Sequence, residues 1–255
     1  MLITGASPGI GRALALACAR PGAMLHVSGR DAARLAAVVD AARARGAMVS
    51  SAVLDVRDAA GMTGWIAGAG RLDLVVANAG ISAGGGGADS GEAAAQVRAI
   101  FAVNLDGALN TVLPALEAMA TQPPGPDGIR GRIAVIASIA AFVAAPGAPA
   151  YCASKAAIDA WTVASAPAAR ARGVVLTSVC PGYVRTNMTV RNRFPMPGLM
   201  DAERAAGIIL RGVASGRARV AFPPAMALAA RAMGGLPVAV RNWMMTHMAG
   251  KAAGF

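Results

Sequence analysis

The sequence predicts an α/β fold: one doubly wound parallel sheet with helices on both faces, followed by a C-terminal helical extension. Three observations predict it. Strand-like apolar runs alternate with helical runs through most of the 255 residues. The strand runs, such as LVVA and IAVIA, are apolar without a break, the pattern of strands covered on both faces by crossover helices. A glycine-rich turn, TGASPGIG, separates the first strand from the first helix.

Taken in order, MLIT is an apolar strand that stops at the turn; it is short or begins upstream of Met1. RALALACAR has helical spacing, and AMLHVSGR is a strand. DAARLAAVVDAARARG is an amphipathic helix with Asp31 as N-cap and Gly46 as its stop. AMVSSAVLDV and LDLVVANAG are strands, the second ending in small and polar residues. A long helix is expected from about Glu92 to Met119, a short buried strand at RIAVIAS, a helix over 150–172, and a strand at VVLTSVCPG. GGGG at 84–87 reads as a mobile surface loop and TQPPGPDGIRG at 121–131 as an irregular connection. Right-handed crossovers join these elements into one doubly wound unit spanning 1–255.

The last quarter is read separately. Residues 186–215 are expected to hold a substrate-loop region. Pro195 and Pro197 keep the chain irregular before a short helix from Asp201. RVAFPP is an edge strand stopped by Pro223 and Pro224. Residues 225–255 form an apolar, Met-rich extension that is too interrupted to span a bilayer. Docking onto the domain or onto a partner subunit, where Met fills irregular gaps, is expected ahead of lying on a membrane surface.

Composition narrows the function classes. The formal net charge is +11, but the arginines are scattered without a dense basic run or interleaved aromatics, so no nucleic-acid partner is expected. Cys18, Cys152 and Cys180 are far apart and odd in number, which fits reduced thiols. The histidines are only His26 and His247, so no metal site is expected. The opening MLITGAS has no basic n-region or long apolar stretch, and a cytoplasmic location is expected.

The turn places Gly5, Gly9 and Gly11 between strand and helix. Glycines there permit a tight turn, let backbone N–H groups approach a pyrophosphate, and leave the anion at a helix N-terminus. The spacing is G-x-x-x-G-x-G, which differs from G-x-G-x-x-G, yet the strand–turn–helix context favours a nucleotide on a Rossmann-type fold. An acid at the end of the second strand would hold a ribose 2′-OH, whereas an arginine accommodates a 2′-phosphate. Here Gly29 takes the acid's place, Arg30 follows, and Asp31 reads as a helix cap. With Ser7 as a further hydroxyl donor, NADP(H) is favoured over NAD(H).

A second motif is YCASK, 151–155. It holds one of two tyrosines and one of two lysines in an arginine-rich chain. On a helix, Tyr151 and Lys155 share a face. Reduction of a carbonyl leaves charge on oxygen, which needs a proton. A phenol can supply it, and a nearby ammonium is expected to lower the phenol's pKa.

The turn and YCASK together resemble the short-chain dehydrogenase/reductase family, over roughly residues 1–190 and in the family's order. The resemblance rests also on LDV with Asp55 and Val56, NAG at Asn78, Ala79 and Gly80, VNLDG with Asn104, Ser138 thirteen residues before Tyr151, and PGYVRT from Pro181 to Thr186. It implies a catalytic tetrad of Asn104, Ser138, Tyr151 and Lys155, in which Ser138 orients the substrate oxygen and Asn104 holds a water leading to Lys155. It implies cofactor contacts from Thr4, Gly5, Ser7, Gly9, Ile10, Gly11, Arg30, Asp55, Val56, Asn78, Ala79, Gly80, Pro181, Gly182, Val184 and Thr186, together with Tyr151 and Lys155. It further implies reversible carbonyl–alcohol chemistry on a small molecule and a homo-oligomer paired through its long central helices, while the apolar tail and weakly charged lid point to a lipophilic substrate. The competing expectation is a non-catalytic NADP(H)-binding sensor on the same fold, which would have no need of a proton-relay lysine.

Overall fold

The computed structural model describes residues 1–7, 9–82, 92–186, 188–190 and 196–252. The GGGG segment and Pro195 lie outside the described residues. Among the described residues, seven strands form one parallel sheet: β1 (Leu2–Ile3), β2 (Met24–Gly29), β3 (Met48–Val53), β4 (Leu74–Ala77), β5 (Gly131–Ile136), β6 (Val174–Pro181) and β7 (Arg219–Phe222). Their order is β3-β2-β1-β4-β5-β6-β7. The chain steps outward from β1 to β3, crosses back, and lays down β4 to β7 on the other side. The reversal leaves β1 beside β4, and a crevice opens at their carboxyl ends.

Side chains alternate between the faces with the strand period of two. Val76 joins the cluster under α1 (Gly9–Cys18), α2 (Ala32–Arg43) and α7 (Ala202–Ala214). Val75 and Ala77 join the cluster under α3 (Ala59–Ala67), α5 (Gly107–Thr121) and α6 (Pro149–Ala171). Asp31 caps α2 as expected, its carboxylate accepting from Arg34 N at 3.0 Å. Helix α3 has no counterpart in the sequence reading. Gly61 and Gly64 dilute its pattern, and it is held by the Asp58 carboxylate, which accepts from Gly61 N at 2.9 Å.

The long central helix is not uniform. Helix α4 (Ala94–Phe101) passes through a π turn at Ala102–Asp106 before α5 begins. By length and hydropathy, Ala94–Thr121 could cross a membrane; here Ile100, Val103, Val112, Ala115 and Met119 are buried in the fold.

Edge strand β7 is tied to the interior by charge. Asp159 on α6 is 5% exposed and meets Arg219 through Nε at 2.9 Å and Nη2 at 2.7 Å. Ser178 Oγ also donates to it at 2.6 Å. Arg219→Met would leave that carboxylate buried without its counter-charge, and we expect a loss of about 3 kcal/mol in urea unfolding. A loss below about 0.5 kcal/mol would show that the pair contributes nothing.

The extension is helical, as expected: α8 (Pro224–Gly234) and α9 (Val238–Ala252). Helix α8 docks on the short 3₁₀ segment Ile139–Phe142 that follows β5. Leu228, Val238, Val240 and Trp243 are exposed.

Candidate functional site

The floor of the crevice is built by β1 and β4 holding each other. Thr4 Oγ1 accepts from Asn78 N at 3.1 Å and Ala79 N at 3.3 Å. Asn78 Nδ2 donates back to the carbonyls of Thr4 at 3.0 Å and Gly5 at 2.8 Å. The glycine turn lies directly on this clamp. Gly5 has φ +64°, and a Cβ there would stand 2.8 Å from Ala79 Cα. A Cβ on Gly11 would stand 2.4 Å from Gly5 O. Gly9, with φ +60°, faces Thr186 across the crevice, where a Cβ would meet Thr186 Cγ2 at 2.6 Å. Ile10 packs against the core at the start of α1. A cavity of about 190 Å³ opens here, lined by Gly9, Arg12, Arg185, Thr186, Asp201, Ala202 and Glu203. A turn stripped of side chains at the opening of a helix fits a dinucleotide pyrophosphate.

One rim of the crevice is formed by the ends of β2 and β3. A Cβ on Gly29 would stand 2.2 Å from Ser7 Oγ, so Gly29 leaves room for that hydroxyl beside Arg30. Arg30 Nη1 stands 3.9 Å from Asp55 Oδ2, and its side chain is 60% exposed. Asp55 is held more tightly by Arg57, through Nη2 at 2.7 Å and Nε at 3.0 Å, with Arg57 N also donating to it at 3.0 Å. The Arg57 hydrogen bond, ahead of other influences, draws the Asp55 carboxyl below its ordinary range. Arg57 was not among the residues read from the sequence, because no spacing marks it. Val56 turns its side chain into the core, and its carbonyl accepts from Asn110 Nδ2 at 2.9 Å.

Tyr151 and Lys155 lie one turn apart near the start of α6, as their spacing predicts. The helix start is secured by Glu92, whose Oε2 accepts from Ala150 N at 2.9 Å, a favourable place for a carboxylate. Lys155 is 4% exposed; its ammonium donates to Ile136 O at 2.8 Å at the end of β5. Burial pulls its pKa down to about 8. Asn104, in the π turn, is 1% exposed. Its Oδ1 accepts from Ile81 N at 2.8 Å, and its Nδ2 donates to Ile81 O at 2.9 Å and Ser154 Oγ at 3.1 Å. Ser154 Oγ in turn donates to Tyr151 O at 2.8 Å. Gly80 is where these parts converge: a Cβ there would stand 3.3 Å from Asn104 Oδ1 and 3.4 Å from Lys155 Nζ. Ser154 was missed because, within YCASK, a serine reads as helix filler.

Ser138 ends the β5 connection and caps the 3₁₀ segment, its Oγ accepting from Ala140 N at 3.1 Å. The Ser138 hydroxyl works against burial on the Tyr151 phenol, favouring the phenolate as the smaller of the two influences. The phenol nevertheless departs from the expected direction. Burial dominates and raises its pKa. The Lys155 ammonium stands 5.9 Å from the ring centroid and is turned toward Ile136. Tyr151 is therefore a protonated donor at neutral pH, and the expectation of a phenol acidified by its lysine is corrected here.

The loop after β6 forms the opposite wall. Gly182 N donates to Phe222 O at 2.7 Å, fixing Pro181–Gly182 at the carboxyl edge. Val184 is buried and bridges Met200; Arg185 N donates to Met200 O at 2.8 Å, and Arg185 Nε to Asp201 at 3.0 Å. A hollow of about 510 Å³ at the far end of the sheet, lined by Arg130, Arg170 and Arg172, sits where α5 and α6 end. Arginines there offset the helix carboxyl termini, and it shares no residue with the crevice.

The model of the short chain dehydrogenase family matches residues 1–195. An uncharacterized oxidoreductase of Myxococcus xanthus is 37% identical over 242 residues, covering 92% of this chain and 92% of its own. A putative ketoacyl reductase of the monensin polyketide synthase, from Streptomyces virginiae, is 35% identical and covers 75% of this chain and 73% of its own. The short-chain dehydrogenase of Sphingobium yanoikuyae, solved with NADPH, shares the fold with TM-score 0.78 at 24% identity, over 96% of this chain and 94% of its own. A short chain dehydrogenase/reductase of Burkholderia phymatum, solved with NAD, gives TM-score 0.76 at 26% identity, over 90% of each chain.

Proposed function

Because the chain belongs to the short-chain dehydrogenase family and is an NAD(P)-dependent oxidoreductase, we propose that it reduces a carbonyl compound to a secondary alcohol with NADPH. The observation that carries this reading is the meeting of a protonated phenol, a serine hydroxyl and a buried lysine at the carboxyl edge of the sheet, next to the glycine turn. The nicotinamide, when bound in its reduced form, supplies the hydride to the carbonyl carbon. The glycine turn and the Pro181–Thr186 loop would hold the dinucleotide between them.

The chain's own residues manage the oxygen. Because Ser138 Oγ already accepts from Ala140 N, its proton is left for donation. Ser138 and Tyr151 then donate to the same substrate oxygen, and the Tyr151 proton passes to it as charge develops. The phenolate left behind is reprotonated through Lys155, whose pKa of about 8 suits a group that gains and loses protons near neutrality. Asn104 acts as a positioning residue, since its amide clamps Ile81 and, through Ser154, the Tyr151 carbonyl.

The preference for NADPH rests on Arg30 and Arg57, which stand over one carboxylate at the ends of β2 and β3. With Asp55 already compensated by Arg57, Arg30 is left to meet a 2′-phosphate. Arg30→Asp should weaken NADPH binding by roughly 10- to 100-fold, the value of a charge-assisted hydrogen bond, while NADH binding changes far less. Equal losses for both cofactors in a fluorescence titration would contradict the assignment. The reaction itself is tested by NADPH consumption over a panel of ketones and aldehydes. Tight cofactor binding with no turnover across a broad panel would contradict it.

A further inference from the structure

We infer that helix α8 is the acceptor-side wall of this site, and that Met226 on it sets the length of the unbranched apolar group a carbonyl substrate can carry. The inference rests on the reading above, and it names a substrate class for the same crevice. The loop after β6, the segment carrying Ser138 and the base of the substrate-loop region all come together at Met226. A Cβ built on Gly182 would stand 2.8 Å from Met226 Sδ, 3.1 Å from Pro223 Cδ and 3.4 Å from Ile139 Cδ1. Ile139 directly follows Ser138. A Cβ on Gly198, within the substrate-loop region, would stand 3.2 Å from Pro223 Cγ and 3.7 Å from Met226 Cε. These contacts are carbon and sulfur, so the wall recognises alkyl rather than polar groups.

The wall is also seated firmly. At the far end of α8, a Cβ on Gly234 would stand 1.9 Å from Phe142 O, so only glycine lets the helix approach this closely. Arg231 on α8 lies over the Phe142 ring, 4.4 Å from guanidinium carbon to centroid, and Arg219 lies 5.6 Å from the same centroid. Ser138 and Phe142 belong to one short segment, so α8 and the substrate-orienting serine are held in a fixed relation. Met226 is half-buried, and its long flexible side chain is what a substrate chain would touch.

The test uses the full-length protein loaded with NADP⁺ and a series of straight-chain carboxamides from propanamide to octanamide, whose carbonyl can accept from Ser138 and Tyr151 without being reduced. Calorimetry should show affinity rising roughly three- to four-fold per methylene until the chain meets the wall, then falling. Met226→Ala should move that limit to longer amides and Met226→Phe to shorter ones, with NADP⁺ affinity unchanged in both. A limit at the same length in all three proteins, or affinity independent of length, would overturn the inference. If the limit moves as expected but the wild type reduces no ketone, the oxidoreductase reading fails while the wall stands.

Discussion

Tyr151→Phe is expected to lower turnover by about 10³-fold, the scale of a general acid, while leaving NADPH affinity within about twofold of wild type. The substitution removes one oxygen from a ring that keeps its packing on α6. What disappears is the hydroxyl that would donate the proton. Loss of one hydroxyl should cost at most about 1 kcal/mol of stability, too little to unfold a domain built on a seven-stranded sheet. A non-catalytic sensor on the same fold would respond to this change only through cofactor affinity. Steady-state kinetics beside a cofactor titration therefore separates the two. Turnover reduced less than about tenfold would remove Tyr151 from the reaction.

The second large effect concerns Lys155, where function and stability should move in opposite directions. Lys155→Met is expected to lower turnover by on the order of 10²-fold. Lys155→Arg should not restore it, because a guanidinium cannot give up a proton near neutrality and does not fit a site shaped for an ammonium. For stability the sign is reversed. Burial lowers the folded-state pKa from 10.5 to about 8. Below about pH 8 the lysine is charged in both states, and the folded protein bears the full cost of the buried ammonium, about 3 kcal/mol. Between pH 8 and 10.5 that cost fades, and above 10.5 it is gone. The hydrogen bond to Ile136 O returns about 1 kcal/mol. Lys155→Met should accordingly be more stable than wild type by about 2 kcal/mol at pH 7, with the gain shrinking as pH rises. Urea unfolding at pH 7 and pH 10 checks this; a destabilised variant at pH 7 would refute it. The same pKa predicts that wild-type reduction slows as pH rises through about 8.

What could be read in advance follows from where the physics is local. The alternation of buried strands and helices is a property of short segments, and it placed the strands and the doubly wound sheet. The glycine turn was legible because it stands between a strand and a helix, where side chains would obstruct. Tyr151 and Lys155 were legible because four residues make one turn of helix. Three features were not, because the pattern of their own segment does not show them. Helix α3 is held by the Asp58 cap and the sheet rather than by its glycine-diluted pattern. Arg57 matters through a carboxylate whose surroundings are set by β2 and β3 together. The pKa direction of Tyr151 was reversed by burial and by the turn of Lys155 toward the end of β5. Neither can be read from a helix face alone. The extension followed the same rule: its apolar character was visible, but the seat of α8 on Phe142 depends on one glycine, Gly234, meeting a backbone carbonyl.

The most direct test is a crystal structure of the protein with NADP⁺ and hexanamide. The amide oxygen is expected within about 3.2 Å of both the Tyr151 and Ser138 hydroxyls, above a nicotinamide ring enclosed by the loop from Pro181 to Thr186. An amide oxygen bound elsewhere, or a Tyr151 phenol turned away from the nicotinamide, would contradict it.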